Sequence, residues 1–171
     1  MASGSKSVTV TSYDTLKFSW WENGQSSNTT EVGWKLELIA TNYGRIDSST
    51  SKEWGVTVNG EDYGGTTSVA IGNNETKTLA SGKTTITHNS TGQKTFSYSF
   101  FQDFTGITFS STALGKVSGS GTGTLTTIND GLVYIDNGSG FDAYQVFIDN
   151  GSSWDQYIPC IDNGSGWDSC G

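Results

Sequence analysis

The residues able to do chemistry are few. His88 is the only histidine, in the stretch TITHNSTGQ. No Ser-His-Asp order can be assembled around it, and a histidine beside a polar turn is expected to be structural or exposed. The 17 acidic residues are scattered over turn segments, so no pair stands out for acid–base work on a glycosidic bond. Cys160 and Cys170 lie near the C-terminus with no histidine or cysteine partner at zinc spacing. The phrase IDNGSGFD lacks the Asp-x-Asp-x-Asp-Gly spacing and distal glutamate of a helical calcium loop. The glycine-rich run at Gly115 to Gly123 leads into strand residues and not into a helix start, which excludes a phosphate cradle. No catalytic, cofactor-binding or metal-binding residue is expected, and the chain reads as non-enzymatic.

What remains is aromatic chemistry in a repeat. YIDNGSGFD, FIDNGSSWD and CIDNGSGWD begin at Tyr134, Phe147 and Cys160, a period of 13. Asn-Gly between alternating apolar residues is the strongest short hairpin signal. A two-residue turn on Asn137-Gly138 sets Tyr134 opposite Phe141. The same register sets Phe147 opposite Trp154, Tyr144 opposite Tyr157 and Cys160 opposite Trp167. Aromatic cross-strand pairs contribute on the order of 0.2–1 kcal/mol each. A longer loop sets Asp136 against Asp142, which like-charge repulsion disfavours. The thiols have two arrangements. The tight turn sets Cys170 opposite Tyr157, whereas a looser loop centred on Ser165 sets Cys160 opposite Cys170 as a terminal disulfide. Isolated hairpins are marginal in water. The repeats are therefore expected to stack on each other, on the preceding domain or on neighbouring copies. Tyr134, Phe141, Tyr144, Phe147, Trp154, Tyr157 and Trp167 form either that interface or a platform for sugar rings.

The elements that carry these residues read as all-β. In TLKFSWW, Leu16, Phe18 and Trp20 share a face; in VGWKLELIA, Trp34, Leu36, Leu38 and Ala40 do, with Lys35 and Glu37 opposite. Trp54, Val56 and Val58 lead into Asn59-Gly60, a type I′ signal. Phe96, Tyr98 and Phe100 alternate with Thr95, Ser97 and Ser99 after a polar turn. Trp20, Trp21 and Trp34 could line a sugar platform, but alternation assigns at least half of them to the core. Gly115 to Gly123 resembles a linker, yet it runs on into Leu125 and Ile128, which favours an edge strand. The expected architecture is an N-terminal antiparallel β-sandwich, Ig-like or jelly-roll, over residues 1–128. A C-terminal array of three β-hairpin repeats follows over 129–171.

The net charge of -8 argues against nucleic-acid binding. No stretch approaches the roughly 18 apolar residues of a membrane helix. MASGSKSVTV lacks the apolar centre of a signal peptide.

TLASGKTTITHNSTGQKTFSYSFF, followed by GSGTGTLTTI, resembles a segment of tail and minor structural proteins of bacteriophages infecting Gram-positive bacteria. The resemblance rests on Ile86, His88, Asn89, Gly92 and Lys94, then Phe96, Tyr98 and Phe100, and Leu125 to Ile128. The terminal aromatic-Asn-Gly-Ser-Trp repeats are similar to the ends of some of these proteins. The resemblance implies a virion component of the tail tip, baseplate, fibre or collar, assembled in the host cytoplasm. Its implied partners are its own copies as a homo-oligomer, other virion proteins and host-surface polysaccharide. The chain is short for a large tail protein, which leaves a capsid decoration or head fibre open. A free-standing carbohydrate-binding module is the alternative from the residues themselves.

Overall fold

The structure is a computed structural model. It describes the chain except residues 27, 49, 90–91, 129–131, 137, 139–140, 150, 158–159, 163–166 and 170–171. For 132–136, 141–145, 154–157, 160–162 and 167–169 only the backbone is described. The described residues are all-β, without helix, and form several antiparallel sheets.

Two four-stranded sheets face each other. The first holds β1 (Ser3–Thr9), β2 (Asp14–Ser26), β3 (Thr29–Ala40) and β6 (Thr76–Thr87), in the order β1-β2-β3-β6. The second holds β4 (Ser51–Val58), β5 (Glu61–Ser68), β7 (Thr95–Asp103) and β10 (Lys116–Thr124), in the order β10-β7-β4-β5. A small ladder of β8 (Thr108–Phe109) and β9 (Thr112–Ala113) lies between β7 and β10 in the chain. Period-two alternation decides which face is buried. Leu16, Phe18 and Trp20 of β2 and Trp34, Leu36 and Leu38 of β3 are buried, as are Val56, Val58, Phe96, Tyr98 and Phe100 across from them. The Phe18 ring stacks on Tyr98 at 4.8 Å and on Phe100 at 5.5 Å, so the two inner faces are in direct contact. Such ring pairs add about 0.5–1.5 kcal/mol each beyond area burial.

One pattern accounts for eight of the 23 glycines and four of the six tryptophans. Aromatic residues stand directly opposite glycines on the neighbouring strand. Trp20 faces Gly4, Trp21 faces Gly33, Trp34 faces Gly82, Trp54 faces Gly65 and Phe101 faces Gly55. Phe96, Tyr98 and Phe100 face Gly123, Gly121 and Gly119. A Cβ on any of those last three glycines would fall 2.5–2.6 Å from the opposing ring or its hydroxyl. The run GSGTGT is thus an edge strand whose inward positions are left empty for three rings.

The sandwich has two poles. At one, β2 turns into β3, β4 into β5 and β6 into β7, and the chain enters β1 and leaves β10. The β4–β5 turn has Asn59 at φ 52° and Gly60 at φ 83°, the left-handed pair its Asn-Gly signal requires. Glu22, 4% exposed, receives hydrogen bonds from Ala2 N (2.6 Å), Thr126 N (2.5 Å) and Thr126 Oγ1 (2.8 Å). One carboxylate therefore ties the start of β1 to the segment that follows β10. His88 is buried, with Nδ1 2.7 Å from Gly92 O and Nε2 2.8 Å from Thr30 Oγ1. A carbonyl can only accept, so Nδ1 donates. Gly92 O also accepts from Ile128 N at 2.9 Å. The His-Asn-x-x-Gly turn is a latch that holds the departing chain.

Beyond residue 131, β11 (Leu132–Asp136), β12 (Phe141–Asp149) and β13 (Trp154–Tyr157) form a three-stranded ladder. A second ladder pairs β14 (Cys160–Asp162) with β15 (Trp167–Ser169). The expected boundary at 129–131 lies outside the described residues.

Candidate functional site

Three surfaces come into question. The first is the repeat ladder, whose register differs from the two-residue turn. Asp136 lies opposite Phe141, Asp149 opposite Trp154 and Asp162 opposite Trp167. Four residues separate each of these paired ends. Tyr134 consequently faces Ala143, Tyr144 faces Val133, Phe147 faces Gln156 and Tyr157 faces Val146. Cys160 faces Ser169, and Cys170 lies outside the described residues. The physical reason is the parity of a ladder. An even shift of two preserves the facing of every position, and it sets Asp136 against an aromatic instead of against Asp142. Gly138 and Gly151 have φ of 83° and 85°, the left-handed geometry that Asn-Gly foretold for the glycine. Of the seven aromatic positions singled out, only the Phe147 side chain is described. It is 47% exposed, and its neighbour Ile148 is 48% exposed.

The second surface is the other pole, where the segments 10–13, 41–48, 69–75 and 104–115 meet. Hydrogen bonds join the first three, and a ring contact joins the fourth. Thr41 donates from N and Oγ1 to Tyr13 O at 2.8 and 2.9 Å, and Tyr43 N donates to Asn73 Oδ1 at 3.0 Å. An Ile46–Ile71 bridge joins the segment after β3 to the one before β6. Beneath them Ile46, Val69, Ile71, Phe104 and Ile107 are buried. Asp14 is fully buried there, with Oδ2 receiving Thr11 Oγ1 at 2.6 Å and Oδ1 without a partner. Above this floor stand three rings. Tyr13 contacts Tyr43 edge-on at 5.8 Å and Phe109 at 6.2 Å. Tyr43 is 78% exposed and Tyr13 40%.

The backbone at this pole is strained. Five non-glycine residues among those described have positive φ, and four lie here: Tyr43, Asn74, Ser110 and Ser111. Ser110 and Ser111 form the two-residue turn of the β8–β9 ladder, with left-handed φ of 46° and 69° at positions that favour Asn-Gly. Left-handed backbone costs about 1–2 kcal/mol for a residue with a Cβ. That turn sets the position of Phe109.

The third surface is the outer face of the second sheet. A cavity of about 710 Å³ lies there over Gly55, Gly64, Ser99 and Ser118. One of its lining rings, Phe101, is capped by Lys116 Nζ at 3.5 Å from the ring centroid.

Trp20 and Trp34 are buried and so are core; Trp21 lies on the outer face of the first sheet, over Gly33. His88 is part of the latch. Tyr13, Tyr43 and Phe109 escaped the sequence reading. Each is a single aromatic in a polar segment, and they are brought together only by the fold. The one sequence signal was an aromatic inside a turn, as in TNYGR.

The geometry defines an all-β, sandwich-like protein with an aromatic loop pole. Comparison with protein-family models, curated proteins and solved structures finds no match to this chain.

Proposed function

We propose that this chain is a non-enzymatic structural protein of a phage virion, at the tail tip, baseplate, fibre or collar. In this reading it assembles through its terminal repeats, and host-surface polysaccharide is its further target. The observation that carries the assembly half is the exposure of Phe147 and Ile148. They are successive residues of β12, so they lie on opposite faces of the ribbon, and each is about half exposed. A ribbon with apolar side chains open on both faces gains its stability from a covering partner. Copies of the same chain are the economical partner, because symmetric self-association is the commonest assembly of a single chain. The resemblance of the Ile86-to-Ile128 region to phage structural proteins supplies the setting. Light scattering after gel filtration tests the reading. We expect a defined oligomer that dissociates in a Phe147→Ser/Ile148→Ser variant; a strict monomer at micromolar concentration refutes assembly through the repeats.

A further inference from the structure

We propose that the loop pole of the sandwich, and not the repeat ladder, is a binding site for neutral polysaccharide. Tyr43 is its stacking ring, and Tyr13 and Phe109 are its walls. The inference rests on the host-surface half of the function above and places it in a different part of the chain.

Four independent features converge on this pole. The first is exposure without need. A tyrosine 78% exposed on a loop tip adds almost nothing to the core. The second is strain. Tyr43 holds φ 69°, a conformation glycine adopts freely and tyrosine does not. Non-glycine residues in such backbone cluster at ligand sites, where the surrounding structure holds them against their preference. Here that hold is visible, since Asn73 Oδ1 binds Tyr43 N and the Tyr13 ring packs on the Tyr43 ring. The third is rigidity. The cross-linked segments over a buried floor fix the rings before any ligand arrives, which lowers the cost of binding.

The fourth is polarity of the whole sandwich. The rings flank Asp14 at the start of β2, whereas Glu22, eight residues along the strand, ties down both Ala2 and Thr126. Eight strand residues span roughly 26 Å. The repeats depart from the Glu22 pole. A chain held in an assembly through its repeats presents the three rings on the end away from that attachment.

The chemistry selects the ligand. Tyr43 is mostly exposed and Tyr13 and Phe109 are partly so, a patch on the scale of a sugar ring and not of the ~800 Å² per partner that a stable protein interface buries. A second protein copy is thus poorly served, and a sugar ring is well served. The surroundings of the rings are hydroxyl and amide groups, including Asn73 and Thr41, which suit sugar hydroxyls. Of the cations near the pole, Arg45 is paired to Asp47 at 2.7 Å, Lys52 and Lys77 donate to the carbonyls of Thr105 and Ala70, and the chain carries -8. Anionic polymers are repelled, which leaves neutral glycans.

The test uses the full chain and the single variants Tyr43→Gly and Tyr43→Phe. Binding is read on an array of neutral and charged bacterial polysaccharides, and by retardation in gels cast with dextran or mannan. Wild type is expected to bind neutral glycans. Tyr43→Phe keeps the ring and retains binding. Tyr43→Gly loses about tenfold or more in affinity, as removal of a central aromatic anchor does. Because glycine relaxes the backbone at this position, Tyr43→Gly must melt no lower than wild type. A lower melting temperature assigns the ring to the fold and overturns the proposal. So does full binding by Tyr43→Gly, binding to charged glycans alone, or binding to no glycan on the array. An oligomer that changes with Tyr43→Gly makes the pole a protein interface, which also overturns it. Oligomer size is measured separately for the Phe147→Ser/Ile148→Ser variant, so failure of the assembly reading is distinct from failure of this one.

Discussion

Replacing Gly92 by alanine isolates the latch that holds the chain as it leaves the sandwich. Two penalties apply. Gly92 has φ 70°, so any Cβ carries the left-handed cost of about 1–2 kcal/mol. That Cβ would also lie 1.9 Å from the Ile128 carbonyl oxygen. The obstacle is backbone, which cannot swing aside as a side chain does. Ile128 must withdraw, and its N–H loses the Gly92 carbonyl that it reaches at 2.9 Å. A lost backbone hydrogen bond costs about 1 kcal/mol, and disturbance of the buried His88 partner adds about as much again. The total is about 3–4 kcal/mol. Gly60 provides the control, since it has φ 83° with nothing within 4 Å of its would-be Cβ. Gly60→Ala should therefore cost only the left-handed term, about 1–2 kcal/mol. Urea unfolding followed by tryptophan fluorescence compares the two. The Gly92→Ala midpoint should lie about 1 M below that of Gly60→Ala, with the same slope. Equal midpoints refute the contact between Gly92 and Ile128, and with it the latch.

Ser111→Gly relieves one of the two left-handed serines beside Phe109. Allowing for the entropy that glycine adds, it should gain about 0.5–1 kcal/mol; a fall in melting temperature contradicts the strained turn. Thr30→Val removes the hydroxyl from His88 Nε2 inside the core, at a cost of about 1–3 kcal/mol, whereas Thr30→Ser keeps most of the stability. Denaturant midpoints of the two variants check this. Burial pushes the Glu22 carboxyl up, and hydrogen bonds from Thr126 and Ala2 outweigh it, so its folded pKa lies below the usual glutamate range. On acidification the unfolded chain takes up this proton first. The stability that Glu22 supplies is full above the ordinary carboxylate range and is lost as pH falls through the lowered value. Melting temperatures from pH 7 to pH 2.5 should show a shallower acid decline in Glu22→Gln; parallel curves would count against it.

The sandwich was legible because alternation is a local signal. Phe96, Tyr98 and Phe100 announce a half-buried strand whatever lies beside them, and Asn59-Gly60 announces its own turn. The glycine run of β10 was ambiguous for a physical reason. Its inward positions are empty, and their meaning depends on rings carried by β7, about 20 residues earlier in the chain. The described repeat strands pair two positions away from the two-residue-turn register, a difference that the Asn-Gly pair alone does not encode. The loop pole was not legible at all. Tyr13, Tyr43 and Phe109 lie on three separate connections, and the serine pair that positions Phe109 lacks the Asn-Gly signal of a left-handed two-residue turn. Strain of that kind is invisible to propensity, because propensity says that such residues should not be there.

The carboxylate of Glu22 grips residue 2 and residue 126 at once. A folding unit whose way in and way out are neighbours can be spliced into a surface turn of another protein without prising that turn apart. Residues 2–128 are therefore expected to tolerate transplantation as one piece. Grafting residues 2–128 into an exposed hairpin of an unrelated carrier would leave both partners folded, with the strained loops pointing outward from the carrier.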